Sequence, residues 1–149
     1  MKQKRTWIVI ADGAKARILQ NTGRMEGVHQ LPDSEFHDSR PPSREIMSER
    51  LPRVHESVGA ARHAIELRTD PHEYRKQQFL MRLAEHLERA WQHGDFEKLI
   101  VVAPATALGE LRKQFSPSLH KCLLAELAHD YAHQSNDYVY QHIKDNLPL

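Results

Sequence analysis

A chain of 149 residues and 17.3 kDa has room for one domain with one core, and hardly for two. At 40% hydrophobic and 28% charged residues it is globular in composition, which excludes wholesale disorder. Lys and Arg total 21 against 20 Asp and Glu, so a nucleic-acid partner has to be argued from local patches and not from net charge.

Eleven histidines make that charge sensitive to pH near neutrality. The single cysteine, Cys122, excludes an internal disulfide and a Cys-rich zinc module. Met1 to Arg5 is basic, but the apolar run behind it stops at Asp12, too soon for a secretion signal. The uncharged stretch Leu99 to Gly109 is too short to span a bilayer and contains Pro104. The expectation is a soluble, reduced, cytoplasmic protein with no membrane insertion and no cofactor.

Trp7 to Ala11 is a continuous apolar run, the pattern of a central strand buried on both faces. Asp12-Gly13 then predicts a tight reversal with φ > 0. Ala14 to Gln20 alternates, placing Ala14, Ala16 and Ile18 inward and Arg17 outward, and completes a hairpin. Asn21 to Gly27 turns again, and Val28 to Leu31 makes a weaker third strand.

From Pro32 to Thr69 the periodicity is lost, and four prolines fall between Pro32 and Pro52. Loops of this length are functional or disordered; little regular structure is expected here. Order resumes at Thr69-Asp70-Pro71, a capping side chain followed by proline at the first helical position. Phe79, Leu80, Leu83, Ala84, Leu87, Ala90 and Trp91 then recur at helical spacing, up to about His93-Gly94.

Leu99 to Ala103 repeats the profile of the first strand and should pair with it in parallel. Thr106 is placed to cap a short helix running through Phe115, and Ser116-Pro117 to open another. Leu123 to Ala132 suits a helix or a strand; its alternation favours an edge strand, followed by a last helix from Ser135 to about Lys144. The fold expected is a single α/β domain with a mixed five-stranded sheet flanked by helices and a long insertion over about 32–69.

The run Trp7-Ile8-Val9-Ile10-Ala11-Asp12-Gly13-Ala14-Lys15-Ala16-Arg17-Ile18 resembles the opening motif of the bacterial family called protein required for attachment to host cells. A second, more specific match is Leu99 to Pro104 followed by Leu108-Gly109-Glu110-Leu111-Arg112. That family is similar in fold to the middle domain of archaeal and eukaryotic class-one release factors, a ribonuclease-H-like arrangement. In those factors a Gly-Gly-Gln tripeptide on a long loop drives peptidyl-tRNA hydrolysis. No Gly-Gly-Gln occurs here, and the only glycine of the Pro32–Thr69 segment is Gly59, so the release chemistry does not transfer. The resemblance implies association with RNA or the ribosome.

Among chemistry-bearing residues, Asp12 ends the first strand, but no second carboxylate lies on the central strands, which argues against a metal nuclease. His129 and His133 would aim at one metal on a helix; on a strand they sit roughly 13 Å apart at about 3.3 Å per residue. Cys122 has no base in a recognisable pattern, and no nucleophile elbow or phosphate loop is present. The candidate binding residues are therefore basic: Arg17, the loop residues Arg40, Arg44 and Arg53, and Arg112 and Lys113 beyond the strand Leu99–Ala103, with Asp12 and Gly13 at the edge where open α/β sheets bind ligands. The leading expectation is a non-enzymatic RNA- or ribosome-associated module. Its rivals are a hydrolase of esters or phosphodiesters using Asp12 with loop histidines such as His55 or His63, and an intracellular adaptor that binds a protein partner or a second copy.

Overall fold

The computed structural model describes residues 4–38 and 71–148. Strands β1 (Thr6–Ala11) and β2 (Lys15–Asn21) form an antiparallel hairpin. The short β3 (His29–Gln30) and β4 (Phe36–His37) both pair with β2. Helix α1 (Pro71–His93) crosses over to β5 (Lys98–Ala103), which lies parallel to β1. Helices α2 (Ala105–Gln114) and α3 (Pro117–Lys121) lead to β6 (Leu123–Ala128), again parallel, and α4 (Asn136–Ile143) follows. The order β3-β2-β1-β5-β6, with β4 continuing the rank of β3, is a mixed sheet five strands wide.

Two-sided burial explains the unbroken apolar runs. Trp7, Val9 and Ala11 of β1 and Leu99, Val101 and Ala103 of β5 face one core, closed by Phe79, Leu83 and Leu87 of α1 and by Leu108 and Leu111 of α2. The alternate residues Ile8, Ile10, Ile100 and Val102 face a second core, closed by Val139 and Ile143 of α4. Ile100 and Val102 are fully buried, and the Ile8–Ile100 register is parallel as the crossover requires.

Helix ends follow local chemistry in some places and depart from it in others. Gly94, at φ 78°, ends α1 in the left-handed conformation that a side chain disfavours. Ser116 Oγ accepts from the Leu119 N–H at 3.1 Å, while the Ser116 N–H donates to Glu88 Oε1 at 2.7 Å, so α3 is capped and tied to α1 together. Thr106 does not cap α2: the helix starts two residues earlier than that cap requires, with the extended Pro104 (ψ 154°) at the N-cap position and no side-chain cap. Thr69 and Asp70, expected to cap α1, lie outside the described residues.

The segment beginning at Pro32 is not irregular throughout. Phe36 pairs with Ala16 and packs edge-on to His86 at 4.8 Å, and Asp38 forms an ion pair of 3.2 Å with Arg75 of α1. Two residues of strand carry no readable period, which is why the sequence hides them. Ala14 is likewise exposed in the turn and not inward.

Candidate functional site

Asp12 follows the last residue of β1, Pro104 follows β5, and Asp130 lies just past β6, so all three stand at the C-terminal ends of neighbouring parallel strands. A cleft of about 610 Å³ opens there, lined by these residues with Glu73, Lys76 and Leu80 of α1 and Thr106, Glu110 and Lys113 of α2. Helix α2 points its first turn at this cleft. Its Leu108 N–H reaches the Pro104 carbonyl at 2.9 Å, and the amides of Ala105, Thr106 and Ala107 precede that first helical bond.

The turn below the cleft is built by a side chain. Asp12 Oδ1 accepts from the N–H groups of Ala14 (2.7 Å) and Lys15 (2.8 Å), and the Asp12 N–H donates to the Lys15 carbonyl at 3.0 Å. Gly13 is not in the positive-φ region that the Asp-Gly pair predicts. Its role is space: a Cβ there would lie 2.7 Å from Cγ of Lys76. The bare glycine lets the Lys76 stem cross the turn on its way into the cleft, where Nζ lies 3.3 Å from Glu73 Oε1. Lys113 is held similarly, 3.4 Å from Glu110 Oε1.

The second Asp12 oxygen, Oδ2, lies 3.9 Å from His133 Nε2, beyond hydrogen-bond range. The other ring nitrogen, Nδ1, is 3.0 Å from Lys15 Nζ. An ammonium has only hydrogens to offer, so in this contact Nδ1 is the acceptor. His55 and His63, the histidines of the hydrolase reading, lie outside the described residues.

The basic residues read from the sequence have different fates. Arg17 is half-buried and bound on one side. It donates from Nε to Asn136 Oδ1 (2.7 Å), from Nη1 to the Ala132 carbonyl (2.9 Å) and from Nη2 to the Gln134 carbonyl (2.5 Å). Desolvation lowers its pKa, with Glu35 opposing. The guanidinium thus pins the segment between β6 and α4 onto β2. Arg112 is committed to Glu126 of β6, whose hydrogen bond and charge raise the guanidinium pKa. Lys113 alone of the described basic candidates lines the cleft. Arg40, Arg44 and Arg53 lie outside the described residues.

His129 and His133 do not meet. His129 stacks on Tyr131 at 4.7 Å, while His133 faces Lys15 and Asp12, and no three His, Cys, Asp or Glu side chains converge on a metal position among the described residues. Cys122 is buried, its Sγ 3.0 Å from the Leu119 carbonyl, and burial pushes its pKa up to about 11, the condition of an inert thiol. The binding candidates read from the sequence do not include Lys76, Thr106 or Asp130. Thr106 was findable as the first turn after β5, but Lys76 was not, because only the fold brings it over Gly13.

Fold and site together define an α/β domain with a cleft, rimmed by charged side chains of both signs, at the C-terminal ends of its parallel strands. The chain belongs to the family described as protein required for attachment to host cells, whose model matches residues 7–143. No curated protein matches it. Among solved structures it is similar to an archaeal translation termination factor, aRF1, with 16% sequence identity and a TM-score of 0.49. That match covers 95% of this chain but 38% of the termination factor, so the chain spans well under half of that protein's length. No described helix is long and apolar enough to cross a membrane.

Proposed function

We propose that this protein is a non-catalytic RNA-docking module that presents the C-terminal edge of β1, β5 and β6 to RNA, the RNA surface of the ribosome included. The observation that carries the reading is the set of donors gathered at one cleft: the first-turn amides of α2, the Thr106 hydroxyl and the ammonium groups of Lys76 and Lys113. Phosphate oxygens accept from all of these groups.

Glu73 and Glu110 already hold the two ammonium groups, but in exposed pairs that contribute little and exchange readily. Asp12 and Asp130 line the same cleft and repel an unbroken run of phosphates. One or two phosphates entering the cleft fit this balance; a duplex lying along a basic face does not. Salt dependence should accordingly be shallow, with a logarithmic slope of about −1.4 for two phosphates of a single strand.

Co-sedimentation with ribosomes at low and high salt tests the reading. Pelleting at low salt that weakens in a Lys76→Glu, Lys113→Glu double variant supports it. Absence of pelleting at low salt overturns it.

A further inference from the structure

Four aromatic rings meet beside the cleft, on the segment that carries Asp130 and on α4. His129 lies flat on Tyr131, with centroids 4.7 Å apart and planes 2° apart. Tyr138 and His142, one helical turn apart on α4, stack at 4.0 Å and 26°. Tyr131 joins the two stacks, standing at 87° to Tyr138 and 62° to His142. Only this joining ring packs against the core; His129, Tyr138 and His142 are exposed. His142 Nδ1 lies 2.8 Å from the Tyr138 carbonyl, which fixes the orientation of its ring.

We propose that these rings are a stacking platform for unpaired bases of single-stranded RNA; the inference rests on the RNA-docking reading above and assigns it a second contact. Exposed, mutually oriented flat faces offer what a splayed base needs, and base–aromatic stacking tolerates any sequence. His129 and Tyr131 flank Asp130, a cleft residue, in the chain. A nucleotide strand can therefore place a phosphate at the cleft and a neighbouring base on the rings. Paired bases hide their faces within the duplex, so the platform selects single strands.

The test uses the full chain, a fluorescent single-stranded RNA 12-mer, a duplex of the same length, and anisotropy at low salt. Tyr138→Ala and His142→Ala should each weaken single-strand binding about 5- to 150-fold, the range for losing one stacked base. Tyr138→Phe should keep it, because it retains the ring, and the duplex should bind more weakly than the single strand. Circular dichroism confirms that the variants are folded; both side chains are exposed, so truncation leaves the core intact. Wild-type binding that both alanine variants retain in full overturns the platform while leaving RNA docking standing. A wild type that binds neither RNA nor ribosomes removes the docking reading, and the platform with it.

Discussion

Replacing Arg17 separates a structural arginine from a binding one. Its guanidinium makes three hydrogen bonds to the segment between β6 and α4, two of them partly buried. Hydrogen bonds from a charged donor contribute about 1.5–3 kcal/mol each, and removal leaves Asn136 Oδ1 and the Ala132 carbonyl with an acceptor site to hydrate. The guanidinium itself loses solvation on burial, which offsets part of that sum. Arg17→Ala should therefore cost about 2–4 kcal/mol, or roughly 4–15 °C in Tm for a domain of this size. Arg17→Lys should recover less than half, since an ammonium cannot present the planar fork that reaches three acceptors. Urea denaturation gives the magnitude, and hydrogen exchange at residues 132–136 gives the location. An Arg17→Ala protein whose Tm stays within about 2 °C of the parent, with unchanged exchange in that segment, would refute the clamp.

Ile100 is fully buried between the central strands and the α4 side, so Ile100→Ala should cost about 2–5 kcal/mol in urea titration; a loss below about 1 kcal/mol would contradict its place in a packed core. His86 is half-buried beside Trp7 and Phe36, and desolvation, then Arg89, lowers its pKa below 6.5. The unfolded chain binds that proton first, so stability should fall as pH drops from about 6.5, and His86→Phe should flatten that part of the profile. Cys122 behaves in the opposite sense: its folded pKa of about 11 stands above the unfolded 9.0, so its contribution is full below pH 9 and lost as pH rises to about 11. Rapid labelling of the native protein by a thiol reagent at pH 8 would show that the thiol is not buried as described.

The sequence displayed what two-sided burial writes plainly. Trp7–Ala11 and Leu99–Ala103 are uninterrupted apolar runs because each residue meets a core, whichever face it occupies. The long helix was legible because its stripe of Phe79, Leu83 and Leu87 faces only one core. Phe36–His37 was not, since its pairing to β2 depends on tertiary register and on the Asp38–Arg75 ion pair. Arg17 looked like an outward strand position because two of its three acceptors are backbone carbonyls, which leave no mark in sequence. Asp12, Gly13 and Lys113 share the cleft because the topology brings the C-terminal ends of the parallel strands together. Lys76 entered it only through the missing side chain of Gly13, and Tyr138 and His142 meet Tyr131 only because α4 folds back on the sheet.

The central claim is that one edge of the sheet meets RNA, and backbone amide shift mapping tests it directly. A single-stranded RNA oligomer titrated into isotopically labelled protein should move the amides of Ala105, Thr106 and Ala107, together with those around Lys76, His129, Tyr131 and Tyr138. The opposite edge of the sheet, where Arg5 is paired with Glu97, should stay still. Shifts confined to that opposite edge, or none at saturating RNA, would contradict the account.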